Sequence, residues 1–267
     1  MSLDMGPALL FCPADRPERF DGALRKADAV ILDLEDAVLP AAKAQARENI
    51  VGADLDPARV IVRVNAPETA DFELDLEAVG RTPFHTVMVA KSEDPAAFDS
   101  FASGYALIAL CETARGVHRA GDIAAHERTV GMMWGAEDLV ASLGGMSSRF
   151  PDGRYRDVAR TARAQVLLAA GAYGRTAVDA VHLDIDDVDG LAAEAADAVA
   201  SGFGATACIH PKQVPVIRDA YRPDEELLSW ARAVLAAAEG ERGVFRHEGR
   251  MIDEPVLRHA RAVLSRG

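Results

Sequence analysis

Short apolar runs recur along this chain, each ending at a polar residue and each followed by a stretch compatible with a helix. Residues 8–12, 29–34, 60–64, 86–90, 108–112, 132–138, 177–184 and 205–209 form eight such runs. Continuous rather than alternating apolar character is the mark of parallel strands covered on both faces. Pro17 suits a first helical turn, and helices are expected over residues 40–52, up to 123, 157–173, 190–201 and 225–239. Residues 139–156 are too polar and irregular for a helix throughout and read as a mobile active-site loop. Eight strand and helix units in alternation predict a (β/α)₈ TIM barrel, whose chemistry sits at the carboxyl ends of its strands. The rival, an open doubly wound sheet, lacks a GxGxxG after the first run. Residues 1–220 are therefore read as the catalytic barrel. Residues 221–267 are read as a C-terminal helical extension that packs on a neighbouring subunit.

Polar residues gather at the predicted strand ends: Arg63, Lys91, Glu112, Asp138, Asp184 and His210. Glu112 and Asp138 each close an apolar run, and two carboxylates brought to one rim supply the hard oxygens that Mg²⁺ prefers, with positions left for water or substrate. The alternative is that both acids cap the helices that follow. Arg63 ends an apolar strand, where a lone guanidinium is costly. It either clamps a substrate carboxylate or pairs internally with Asp33, Glu35 or Asp36. Those three acids are candidates for holding the site together, or for a general base. Gly135 and Ala136 are small enough for main-chain N–H groups to approach an anion. Lys91 reads as a rim charge, since the surrounding acids fit a metal mechanism better than an imine. Asp184, Asp186 and Asp187 read as loop and cap acids.

Composition narrows the classes. Hydrophobic residues make up 49% of the 267 and aromatic residues only 6%, a core of Ala, Val, Leu and Ile. A net charge of −13 argues against a nucleic-acid or anionic-membrane partner. Cys12, Cys111 and Cys208 form no CxxC pair and read as reduced core residues, no run approaches the roughly 18 residues of a membrane span, and a cytoplasmic location is expected.

Several longer motifs together resemble the HpcH/HpaI aldolase and citrate lyase β-subunit-like family, nearest its stand-alone actinobacterial members. They are Leu10-Phe-Cys-Pro-Ala-Asp-Arg-Pro-Glu-Arg-Phe20, Val30-Ile-Leu-Asp-Leu-Glu-Asp-Ala37, Arg63-Val-Asn65, Glu112-Thr-Ala-Arg-Gly116, Trp134-Gly-Ala-Glu-Asp-Leu139, Asp179-Ala-Val-His-Leu-Asp184 and Cys208-Ile-His-Pro-Lys-Gln213. The resemblance implies a homotrimeric Mg²⁺ lyase that cleaves malyl-CoA or citramalyl-CoA to acetyl-CoA and glyoxylate or pyruvate, reversibly or with thioester hydrolysis. Glu112 and Asp138 would hold the metal. Arg63 and the main chain of Gly135, Ala136, Glu137 and Asp138 would bind the carboxylate of the 2-oxo acid. Met251-Ile-Asp-Glu-Pro255 matches an element that places its acid, here Asp253, in the neighbouring subunit's site as acid/base. Phe11, Arg16, Arg19, Ile209 and His210 match positions near the acyl-CoA. The alternatives are a citrate lyase β subunit acting on a citryl thioester of an acyl-carrier protein, and a non-catalytic protein that binds an oxo acid or CoA. Two departures stand out: Ala90-Lys91 in place of Pro-Lys, and Pro13-Ala14 in place of Pro-Gly.

Overall fold

The computed structural model describes residues 3–241 and 243–266; Arg242 and Gly267 of the expected extension lie outside them. Contacts divide the chain into two units, Met1–Ile217 and Arg218–Gly267.

In chain order, the first unit comprises β1 (Ala8–Pro13), α1 (Phe20–Lys26), β2 (Ala29–Asp33), α2 (Lys43–Val51), β3 (Val60–Val64), α3 (Ala70–Val79), β4 (Thr86–Val89), β5 (Ala106–Cys111), α4 (Ala114–His118), α5 (Ala120–Ala125), β6 (Thr129–Trp134), α6 (Ala136–Ser142), α7 (Asp157–Ala172), β7 (Thr176–Asp179), α8 (Val188–Ser201), β8 (Ala205–Cys208) and the start of α9 (Gln213–Tyr221). The eight strands pair in parallel, each with the next and β8 with β1, to close a (β/α)₈ barrel. Most connections carry an α-helix. Between β4 and β5 the helical element is a 3₁₀ segment, Pro95–Ser100, which Asp94 caps by accepting from the Ala96 N–H at 3.1 Å.

Side chains alternate between barrel interior and helix layer with the period of two that a strand imposes. Leu9, Ile31, Ile61, Met88, Ile108 and Leu110 fill the interior as one buried cluster. The same parity carries the next inward layer to Phe11, Asp33, Arg63 and Glu112. The apolar plug is thus topped by ionic side chains at the carboxyl ends. Asp33 and Arg63 are direct partners in the β2–β3 register, so their side chains stand side by side.

The second unit holds the end of α9, then α10 (Glu225–Ala238), β9 (Phe245–His247), β10 (Arg250–Ile252) and α11 (Glu254–Leu264). Its core is Ala231, Val234, Ile252, Ala260 and Val263. The β9–β10 hairpin was absent from the sequence reading. Its strands are three residues long, and its turn uses positive φ at Glu248 (46°) and Gly249 (78°), the primed geometry that suits a two-residue hairpin. Among the described residues no helix is long and apolar enough to cross a membrane.

Candidate active site at the carboxyl ends of the strands

A cavity of about 180 Å³ opens at the carboxyl ends of the barrel strands. Phe11, Asp33, Arg63, Glu112, Gly135, Ala136, Glu137, Asp138 and Ile209 all line it, with Leu110, Met133, Ala180 and Val181 as apolar wall. Of the other residues singled out, Glu35 and Asp36 stand next to this layer, whereas Arg16 and His210 are not in the lining. The exposed Arg16 lies 3.6 Å from Asp15, and His210 Nδ1 accepts from the Lys212 N–H at 3.2 Å. Asp253 belongs to the second unit, where it is the N-cap of α11 and accepts from the Val256 N–H at 3.4 Å.

Of the two roles considered for Arg63, the internal pairing is present. Its Nε donates to Asp33 Oδ1 at 2.7 Å and its Nη2 to Asp33 Oδ2 at 2.5 Å, while Nη1 lies 3.1 Å from Glu35 Oε2. Two of the five guanidinium N–H groups are hydrogen-bonded to Asp33, and Nη1 pairs with Glu35. The Phe11 ring lies under the guanidinium, 4.8 Å from its carbon. Asp33 also accepts from the N–H groups of Glu35 (2.9 Å) and Ala37 (3.2 Å), so it fixes the loop after β2 as well as the arginine. After β3, Asn65 is held by the buried Asp75, which takes its main-chain N–H at 2.9 Å and its side-chain amide at 2.6 Å.

Glu112 follows the last residue of β5 and is 3% exposed. Its carboxyl is pushed up to about 8, by burial first and then by the Asp138 charge, against the pull of Arg63 and Lys91. Gly135 makes its position possible. A β-carbon at 135 would lie 2.9 Å from both Cβ and Oε2 of Glu112. Asp138 stands in the first turn of α6, where a carboxylate is favoured.

Lys91 is the functional candidate that the sequence reading left at the rim. Its Nζ contacts Glu35 and lies 3.2 Å from Asp36, 3.4 Å from Asp138 and 3.9 Å from Glu112. These carboxylates raise its pKa, so it is a fixed cation and not an imine-forming amine. Five carboxylates, those of Asp33, Glu35, Asp36, Glu112 and Asp138, thus share two cationic side chains. That excess of negative charge suits a hard cation. Among the described residues no three His, Cys, Asp or Glu side chains converge as a cage; Glu112 and Asp138 are the two carboxylates that line the cavity beside Lys91.

Ser148 was also missed. It is 2% exposed and its Oγ donates to Glu137 Oε1 at 2.5 Å. The loop around it is well tied: Arg149 Nη2 donates to Glu194 at 3.2 Å and its guanidinium stacks 3.7 Å over Tyr155. Nothing in its mixed polar sequence announces those partners, of which Glu194 lies 45 residues further along the chain. One expectation needs correction. The seventh strand ends at Asp179, not near Asp184, because Asp179 is captured by Trp134 Nε1 at 2.6 Å and by Arg163 Nη2 at 2.8 Å. Asp184 sits in the loop beyond and accepts from the Asp186 N–H at 3.1 Å.

The family model for HpcH/HpaI aldolase/citrate lyase matches residues 8–211. The citrate lyase subunit beta-like protein of Mycobacterium tuberculosis is 59% identical, over 98% of this chain and 95% of its own. The human mitochondrial citramalyl-CoA lyase is 31% identical, over 87% of this chain and 76% of its own. A crystal structure from M. tuberculosis in complex with magnesium, acetoacetate and coenzyme A superposes with a TM-score of 0.93 at 58% identity, covering 99% of this chain and 98% of that one. With the barrel closed and the acids and arginine gathered at one cavity, the chain belongs to the HpcH/HpaI aldolase/citrate lyase family.

Proposed function

We propose that the protein is a Mg²⁺-dependent carbon–carbon lyase. It cleaves a 3-hydroxyacyl-CoA bearing a carboxylate, of the citramalyl-CoA or malyl-CoA kind, to acetyl-CoA and pyruvate or glyoxylate. The observation that carries this reading is the imbalance at the cavity: five carboxylates against two cations, with Glu112 pushed up to about 8 by burial and by the neighbouring Asp138 charge. The magnesium, acetoacetate and coenzyme A bound by the M. tuberculosis relative, and the activity named for the human one, support the choice of metal and substrate class.

Held by Glu112 and Asp138, Mg²⁺ supplies positive charge and Lewis acidity to the substrate's carboxylate and hydroxyl oxygens. Arg63 offers N–H groups not taken by Asp33 to the carboxylate, alongside main-chain N–H groups of the turn from Gly135 to Asp138. Leu110, Met133, Val181 and Ile209 keep the bond that breaks in apolar surroundings. As it breaks, the hydroxyl proton passes to water, the oxygen's freed pair forms the ketone C=O, and the carbon–carbon bonding pair passes to the acetyl carbon. Asp253 of a neighbouring subunit of a cytoplasmic homotrimer protonates that carbon.

The test is mass spectrometry of products after incubating the protein with (S)- and (R)-citramalyl-CoA and malyl-CoA, in Mg²⁺ and then in EDTA. The reading predicts acetyl-CoA with pyruvate or glyoxylate, lost on chelation. No cleavage of any of these thioesters would overturn it, and cleavage of carrier-bound citryl thioester alone would point to a carrier-dependent subunit.

A further inference from the structure

Lys91 leaves β4 in a conformation that lysine seldom adopts. Its φ is 49°, in the left-handed region where a β-carbon crowds the following carbonyl, and Glu248 is the one other non-glycine among the described residues with positive φ. Such a backbone persists where its surroundings enforce it, and at functional sites above all. Here both flanks are pinned. The Ala90 N–H donates to Val64 O at 3.3 Å, and Ser92 donates to Leu110 O through its N–H at 2.9 Å and to Val89 O through its Oγ at 2.8 Å.

The turn does two things at once. It aims the Lys91 main-chain N–H at Glu112 Oε1, 3.1 Å away. It also turns the side chain toward the acids at the cavity, where Nζ contacts Glu35 and lies 3.2 Å from Asp36, 3.4 Å from Asp138 and 3.9 Å from Glu112. The ammonium therefore sits in the electrostatic well of the two acids that the proposed function assigns to Mg²⁺. Monovalent and tethered, it neutralises them less completely than a dication does. Glu35 and Asp36 give it somewhere to stay when those acids are taken.

We propose that Lys91 is the built-in counter-ion of the divalent site. Its ammonium, anchored on Glu35 and Asp36, leans on Asp138 and Glu112 until a dication takes those two acids, and its left-handed main chain presents Glu112 Oε1 in both conditions. This rests on the reading of Glu112 and Asp138 as the metal-binding pair. It makes Lys91 a positioning residue with effects of opposite sign. Deleting the ammonium removes a competitor and strengthens divalent binding. Deleting the left-handed turn misplaces Glu112 and weakens it. A residue that merely supported the fold would give no such gain.

The experiment is Mn²⁺ titration of the full-length protein, following the electron paramagnetic resonance of the free ion. Lys91→Met keeps an unbranched side chain and loses only the charge, and the expected result is Mn²⁺ binding tighter by about tenfold or more. Lys91→Val also loses the charge but has a β-branch that disfavours positive φ, and it is expected to bind at least about tenfold more weakly than Lys91→Met. In EDTA, Lys91→Met unfolds at a lower temperature than wild type, and saturating Mn²⁺ closes the gap. Where Lys91→Met does not fold, Lys91→Gln makes the same comparison. Wild-type or weaker Mn²⁺ affinity in the charge-deleted variant would overturn the proposal. The underlying reading fails separately, if wild type itself takes up no Mn²⁺ that Glu112→Gln and Asp138→Asn abolish.

Discussion

Replacing Glu112 by glutamine probes the charge imbalance directly. The wild-type carboxyl is buried and pushed from 4.5 up to about 8, whereas in the unfolded chain it returns to its ordinary value. Between those values the folded protein keeps a proton that the unfolded chain has released. Stability is therefore fullest below the unfolded value and is lost as pH climbs toward 8. Each pH unit of that gap corresponds to about 1.4 kcal/mol, so protein stripped of divalent ions loses on the order of 4 kcal/mol between pH ~5 and ~8 through this one group. Glutamine has the shape of the protonated acid and no proton to release, so Glu112→Gln removes the loss. The assay is urea unfolding in EDTA at intervals from pH 5 to 8.5, read as the wild-type stability minus that of the variant. The subtraction cancels groups common to both, such as His182, whose pKa Glu194 raises. The difference should fall steadily with pH, and Mg²⁺ at pH 8 should restore wild type alone. Parallel curves, within about 1 kcal/mol throughout, would refute the reasoning.

Three further changes probe separate parts of the site. Gly135→Ala puts a methyl 2.9 Å from Glu112, and calorimetric titration should show Mg²⁺ affinity down at least about tenfold in a protein destabilised by roughly 1–3 kcal/mol. Arg63→Lys cannot reproduce the two-pronged contact with Asp33 and the third with Glu35; a loss of about 3–5 kcal/mol is expected in denaturant unfolding, and unaltered stability would count against the pairing. Asp253→Asn should lower turnover by about 10²-fold or more while Mg²⁺ and pyruvate binding stay intact, and normal turnover would dismiss Asp253 as the acid.

The barrel was legible because parallel strands buried on both faces leave continuous apolar runs, and the eight runs correspond to the eight strands. The ionic layer was legible for a related reason. A charge that closes such a run, as Arg63 and Glu112 do, has to be matched by something nearby. Lys91 escaped because its placement depends on a backbone turn that no residue preference signals; read as an extended continuation of β4 it falls at the rim, and a positive φ brings it inward. Ser148 escaped because its partner, Glu137, is supplied by the folding back of a loop with no periodicity. The end of β7 was placed too late because Val181-His-Leu continues the apolar pattern, while the actual boundary is set by Trp134 and Arg163 gripping Asp179. The hairpin at residues 245–252 has strands too short to show an alternation.

The central claim is that Glu112 and Asp138 jointly hold one divalent ion at the mouth of the barrel. Diffraction from crystals soaked in Mn²⁺, with the anomalous signal of the metal recorded, tests it most directly. The account predicts one strong peak between the two carboxylates, each contributing an oxygen at roughly 2.0–2.2 Å, with the Lys91 ammonium still on Glu35 and Asp36 but moved away from Asp138. Peaks elsewhere, with the Lys91 ammonium still 3.4 Å from Asp138, would contradict it.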